Sequence, residues 1–277
     1  MIKPIHLIPE DTEINFLSLK NVFLGLSILF VLISFLSTWV IGLNFGIDFR
    51  GGVLLELRSK NGIANIPELR SSLDKFNLGE VTIQEFGKPS DALVRIQKQE
   101  GDEKSQDTKI NKVKEDLILK YDIRRTEFVG PTVGEELKRN GFWAVIVALF
   151  GILLYIWFRF EWQFALSAIL ALFHDVITTI GLFVFTGLEF NLSTVAAVLT
   201  IAGYSVNDTV VVFDRVRENL RKSKSIDQSS IINKSLNDTL SRTITTSVTT
   251  LLALLAIYFL GGEVISDFTL AMIWGVM

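Results

Sequence analysis

Three ionisable residues stand where a sequence should least tolerate them. Asp175, preceded by His174, lies at the centre of the apolar run 164–186. Asp208, preceded by Asn207, lies about five residues past the midpoint of the run 192–213. Arg242 sits near the start of the run 239–260, which continues through Thr243, Thr245, Thr246, Ser247, Thr249 and Thr250. A charge inside hydrocarbon costs about 2.5–3.5 kcal/mol on insertion scales, so each demands a compensating role. The chemistry open to them is proton exchange, because an aspartate in low dielectric beside a cation has a proton affinity that can move. Asp208 and Arg242 lie toward the same end of consecutive antiparallel runs, which points to an interaction, direct or through water. Two readings of it stand open. One is a static pair that fixes helix packing; the other is a carboxylate that gains and loses a proton while the arginine alternates between pairing and release. Tyr204 and Ser205, one turn before Asp208, are placed to hydrogen-bond it or to order water. Arg242, Thr246, Thr249 and Thr250 share one helical face, which should turn into a bundle and away from lipid. His174 and Asp175 are open to the same two readings, with packing the better supported, because neighbours on a helix point in different directions and do not form a pair automatically.

Little else in the chain offers chemistry. Its 277 residues include no cysteine and 2 histidines, His6 and His174. That excludes disulfides, thiolate zinc sites, iron–sulfur clusters and a cysteine nucleophile, and leaves too few imidazoles for most histidine metal sites. Neither GxSxG nor phosphate-loop spacing occurs. The formal net charge of −3 excludes a strongly basic nucleic-acid binder. The expectation is a protein that is not an enzyme and holds no cofactor or metal, with the proton as coupling ion only if the second of the two readings above holds.

The elements that must carry these residues are membrane helices. Residues 44–140 hold 34 of the 57 charged side chains, and the other 180 residues hold 23, clustered between long apolar runs. The runs are 22–43, 141–158, 164–186, 192–213 and 239–260. At 1.5 Å per residue, the first would span roughly 33 Å, enough for a hydrocarbon core of about 30 Å. A sixth starts at Phe268 and has ten residues before Met277, so the expectation is a chain that continues. All 5 prolines lie outside the runs, and Trp39, Trp143, Trp157 and Trp162 sit at run ends, where an aromatic belt belongs. The first run reads as an uncleaved anchor.

Orientation follows from the short loops. Asp214–Ser241 carries Arg215, Arg217, Arg221, Lys222, Lys224 and Lys234, and Arg159–Gln163 carries Arg159. Gly187–Asn191 and Gly261–Asp267 carry no Lys or Arg. The positive-inside rule places the first two loops, and residues 1–21, in the cytoplasm, and residues 44–140 outside. Lys222–Leu240 reads as a connecting loop held to anionic headgroups of membrane lipids.

Residues 44–140 have the order βαββαβ, the ferredoxin-like α+β pattern. Strands are expected at Val53–Arg58, Val81–Phe86, Ala92–Gln97 and Arg124–Val129, with a turn over Gly87–Asp91. Helices are expected at Ile66–Phe76 and Asp107–Lys120, and Lys98–Lys114 reads as a solvated loop and helix face. The stretch Gly46-Ile47-Asp48-Phe49-Arg50-Gly51-Gly52 reads as a turn between the first apolar helix and the first strand.

Several motifs, taken in order, resemble the SecD/SecF family of bacterial protein-export membrane proteins. They are Gly46 to Gly52 after the first run, Val129-Gly130-Pro131-Thr132-Val133-Gly134 before the second, and His174-Asp175. Gly203-Tyr204-Ser205-Val206-Asn207-Asp208-Thr209 leads into Phe213-Asp214-Arg215-Val216-Arg217-Glu218-Asn219, and Arg242-Thr243 follows. The resemblance runs from about residue 20 to the end. It implies a polytopic membrane protein with a six-helix bundle related to the resistance–nodulation–division transporters, here with its sixth helix truncated, and a periplasmic domain. It implies a place in the bacterial inner membrane, a complex with SecD, and work beside the SecYEG channel with YajC and YidC. In that family the proton-motive force helps draw a preprotein out on the periplasmic side. The resemblance favours the proton-carrying reading, with Asp208 and Arg242 as the coupling residues. Asn207, Tyr204, Ser205, His174, Asp175 and Thr246 are then support, and Gly46, Asp48, Arg50, Gly51, Gly52, Gly130 and Pro131 are periplasmic junction residues.

Overall fold

The computed structural model describes residues 12–79, 81–97, 103–222, 227–261 and 265–277. Residues 1–11, 98–102, 223–226 (Lys224 among them) and 262–264, which fall in segments read above, lie outside the described residues. The chain forms two compact units. One comprises Phe45–Ala144 with Phe190–Leu192. The other holds the remaining described residues.

The α/β unit is built on a four-stranded antiparallel sheet. Its strands are β1 (Gly52–Ser59), β2 (Val81–Phe86), β3 (Lys88–Gln97) and β4 (Tyr121–Val129), in spatial order β2-β3-β1-β4. β1 is central, and alternation sorts its side chains onto two faces. Val53, Leu55 and Leu57 join Ala92, Val94 and Ile96 of β3 in the main core. Leu54 and Leu93 turn to the opposite face and pack on Ile47. The main core is completed by Leu69 and Leu73 of α3 (Ile66–Asp74) and by Ile110, Val113 and Leu117 of α4 (Glu103–Ile118). α3 starts where Asn65 caps it, its side chain accepting the Glu68 N–H at 3.2 Å, with Pro67 in the first turn. The expected turn over Gly87–Asp91 contracts to Gly87: Phe86 pairs with Lys88, and Pro89 and Asp91 lie within β3.

Asp91 shows why the strand extends. The register sets Arg58 of β1 opposite it. Arg58 Nε and Nη2 donate to the two carboxylate oxygens at 2.8 and 2.6 Å, and Ser90 Oγ donates at 2.8 Å. The Arg58 hydrogen bond holds the Asp91 carboxyl below its ordinary value of 3.8, against the opposing effect of burial. A depressed folded-state pKa contributes stability that is complete above the unfolded value and is lost as pH falls through the folded one. Asp91→Asn should therefore destabilise this unit by about 1–2 kcal/mol at neutral pH, discounted because Arg58 is partly exposed. The difference from wild type in urea midpoint, measured on the full chain in detergent, should shrink below about pH 4. A difference that stays constant to pH 2.5 would contradict the assignment.

The helical unit contains α1 (Lys20–Val40), α6 (Trp162–Thr186), α7 (Leu192–Lys222), α8 (Gln228–Leu260) and α9 (Ser266–Val276). α5 (Pro131–Arg159) follows β4, and α2 (Ile47–Arg50) is a single turn. Among the described residues five helices are long and apolar enough to cross a membrane, namely α1, α5, α6, α7 and α8. α9 has 11 residues, and its Thr269, Ala271 and Met272 are buried.

Close packing is set by small residues. A Cβ on Gly181 of α6 would lie 2.5 Å from Ser34 Cβ and 3.1 Å from Ser34 Cα on α1, so the two helices touch at backbone distance there. A second cluster joins α5, α6 and α7: Ile156, Phe160, Ala165 and Ala168 are buried, with Val206, Val210 and Phe213 against them.

Of the charged segment read as a loop, residues 228–240 are helical. α7 runs 31 residues, roughly 46 Å, and so continues past a hydrocarbon core of about 30 Å. α8 starts at Gln228 with Asp227 as its cap. Arg215 Nε donates to Asp238 Oδ2 at 2.8 Å, and Asn219 Nδ2 donates to Ser235 Oγ at 3.0 Å. These bonds between helices hold a stretch whose composition alone suggests a loop. The same part of α8 also grips the start of the described chain. Phe16 N–H donates to Asn233 Oδ1 at 2.8 Å, Ile14 N–H donates to Asn237 Oδ1 at 2.9 Å, and both asparagine amides donate back to the Ile14 carbonyl.

Candidate functional site

Asp208 is positioned by the residues on either side of it. Val206 and Val210 turn into the apolar cluster of α5 and α6. Asp208 is two residues from each, about 200° round the helix, and so faces elsewhere. It is half-buried, while Asn207 is exposed.

Three contacts fix the register of α7 against α8. Tyr204 Oη donates to Thr250 Oγ1 at 3.2 Å, Arg215 bonds Asp238, and Asn219 bonds Ser235. As the chain descends α7 it climbs α8 by equal steps. Asp208 therefore stands level with Thr246, and Arg242 lies one turn further toward the charged end, roughly 6 Å along the axis. Among the described residues no ion pair within 4.0 Å joins Asp208 to Arg242, and the Asp208 carboxylate makes no hydrogen bond.

Three sequence expectations need correction. His174 and Asp175 do pair: His174 Nδ1 lies 2.9 Å from Asp175 Oδ1. Ser205 serves that pair rather than Asp208, donating to Asp175 Oδ2 at 2.6 Å. Tyr204 likewise reaches α8 rather than Asp208. The result is a tie on each side of α7 one turn before Asp208, Ser205 to α6 and Tyr204 to α8. The third correction concerns the polar face of α8. Arg242 and Thr249 are exposed, and Thr246 and Thr250 are half-buried. The threonines need no neighbour, because Thr246 Oγ1 donates to the Thr243 carbonyl at 2.9 Å and Thr249 Oγ1 to the Thr245 carbonyl at 2.8 Å.

The junction residues form a second constellation, within the α/β unit. Gly46 N–H donates to the Phe190 carbonyl at 3.0 Å. Asp48 Oδ2 accepts the N–H of Leu192, the first residue of α7, at 2.9 Å. A carboxylate there satisfies an orphan donor and complements the helix dipole. Arg50 is exposed. Gly51 and Gly52 have φ of 73° and 132°. Gly130 accepts the Gly134 N–H at 2.9 Å as Pro131 opens α5, and a Cβ on Gly134 would lie 3.2 Å from the Gly51 nitrogen. The two glycine motifs, 83 positions apart at Gly51 and Gly134, thus meet. Nothing in the sequence foretold the Asp48 cap, which joins residues 144 positions apart.

Comparison with known proteins places these features in one family. The family of protein export membrane proteins SecD/SecF, C-terminal, matches residues 109–277, and the SecD/SecF GG motif matches residues 36–63. The chain belongs to the SecD/SecF family. Protein translocase subunit SecF of Rickettsia conorii is 42% identical over 278 residues, covering 100% of this chain and 90% of the relative. Protein translocase subunit SecDF of Brucella abortus is 45% identical over 99% of this chain, but the match spans 36% of that longer protein. The crystal structure of SecDF, a translocon-associated membrane protein from Thermus thermophilus, superposes with a TM-score of 0.88 at 36% identity. That match covers 99% of this chain and 37% of the solved one. SecD/SecF membership and five apolar helices make this a multi-pass membrane protein.

Proposed function

We propose that the chain is an accessory subunit of the bacterial Sec translocase that works with SecD to convert proton flow into movement of a preprotein. The observation that carries this reading is Asp208. It is a carboxylate within an apolar helix, without a hydrogen bond among the described residues, one turn from a guanidinium and flanked by ties to both neighbouring helices. Such a group can exchange a proton and shift its relation to Arg242 as it does so. Asp175, by contrast, has both oxygens engaged. The exposed Arg242 face of α8 suits a second bundle, and the SecDF relatives carry the equivalent of this chain as about a third of a longer one. SecD is accordingly the proposed partner, with SecYEG, YajC and YidC alongside. The membrane is the bacterial inner membrane, with the N-terminus cytoplasmic and residues 44–140 periplasmic. In this reading the bundle has six helices and the outer unit is ferredoxin-like, in keeping with its βαββαβ order and antiparallel sheet. No covalent chemistry is invoked.

The test is preprotein export into inverted vesicles that contain SecD, with and without this chain. A proton gradient should stimulate export in the first and leave the second unchanged. Equal stimulation in both would sink the proposal.

A further inference from the structure

We infer that the charged end of α5 and α7 forms a binding site for the phosphate of one anionic phospholipid. Arg159, the last residue of α5, sits between exposed Trp157 and Trp162, the side chains that settle at the membrane–water boundary. On α7, Asp214, Arg217, Glu218 and Arg221 recur at helical spacing, so one face carries them all. With Arg159 and Lys222 they line a cleft of about 430 Å³, within the range of small-ligand sites.

The charges in this cleft do not cancel. Arg159 Nη2 donates to Asp214 Oδ2 at 2.8 Å, and Glu218 accepts from Lys222 and, at 2.8 Å, from Arg215. Both acids are therefore engaged. Arg217 and Arg221 have no acidic partner among the described residues, and Arg217 Nε is buried without an acceptor. A buried guanidinium donor without an acceptor is unfavourable, and a group with several anionic oxygens on a forked donor is its best remedy. At the depth set by Trp157 and Trp162, the abundant source of such oxygens is a phospholipid headgroup. Ordinary topogenic arginines need no cleft and no desolvated nitrogen, which separates this site from the general basic character of the segment.

Native mass spectrometry of the full chain in mild detergent tests it, with phosphatidylglycerol or phosphatidylcholine added at equal concentration. One phosphatidylglycerol should be retained per chain, in preference to phosphatidylcholine. Each arginine near such a surface is worth about fivefold, so Arg217→Gln/Arg221→Gln should weaken retention about 30-fold. The charge-matched Lys20→Gln/Lys234→Gln should change it by less than about fivefold. Equal loss in both double variants would show unspecific attraction and overturn the site. Displacement of the lipid by millimolar inorganic phosphate would show a free-phosphate site and overturn the lipid assignment.

Discussion

Asp208→Asn is expected to cut the proton-dependent part of preprotein export in vesicles containing SecD by at least about fivefold, the low end of ordinary coupling free energies. Asparagine keeps the shape of aspartate and, with one acceptor oxygen and a donor beside it, resembles the protonated form, but it has no proton to exchange. The substitution removes a charge from a half-buried place in an apolar helix, so accumulation of the protein should hold or rise. A loss of function therefore cannot be put down to misfolding. Asp175→Asn is the contrast. Both of its oxygens are already engaged, by His174 and Ser205, and its replacement should loosen α6 from α7 without removing the response to the gradient. Arg242→Lys should retain partial coupling, since the charge remains but the planar fork does not. If Asp208→Asn vesicles respond to the gradient as wild type at equal protein level, Asp208 is a packing residue and the proposed function loses its foundation.

The second large effect is expected at the start of β1. Gly52 has φ of 132°, a conformation that side chains rarely adopt, and a Cβ there would lie 2.4 Å from the Ile96 carbonyl oxygen. That oxygen is backbone, in a strand paired with β1 on one side and β2 on the other, so it cannot give way. Gly52 is also paired with Gln97 and Val129 across both neighbours, so any shift disturbs the end of the central strand on both sides. Strain of this kind alone costs about 1–3 kcal/mol, and the backbone clash adds to it. Gly52→Ala should therefore remove at least about 3 kcal/mol from a unit of ordinary stability near 5–15 kcal/mol. The readout is the urea midpoint and protease resistance of the α/β unit in the solubilised full chain. Gly151→Ala, in α5 with open space around it, should leave both unchanged or slightly improved. Equal behaviour of the two variants would mean the Gly51–Gly52 turn is not constrained as described.

Much of this architecture is legible in the residue order because the membrane writes it plainly. An apolar stretch of about 20 residues has few alternatives, and α1 and α6 fall where hydropathy sets them. The strands were readable for a similar reason, since Val53, Leu55 and Leu57 must share a face. What escaped reading depends on helix rotation and on long-range partners. Ser205 is one helical turn from Asp208 along the chain, yet it is Asp175 on α6 that lies within its reach. The continuation of α7 and α8 beyond the membrane was hidden because Arg215 and Asp238 look solvent-bound until the other helix is present. The level match of Asp208 with Thr246 follows only from the register of α7 against α8, which no spacing within one helix reveals.

The grip of Asn233 and Asn237 on the start of the chain carries a consequence for biogenesis. Ile14 and its acceptor on Asn237 are 223 positions apart. At about 5–20 residues per second, the ribosome reaches Asn237 roughly 11–45 s after it makes Ile14. Through that interval the first segment has no partner, and α1 must enter the bilayer on its hydrophobicity alone. The asparagine pair then acts as a closing clasp, joined only when α8 arrives. An insertion intermediate stalled before α8 should leave residues 14–16 open to proteolysis, and the finished protein should not.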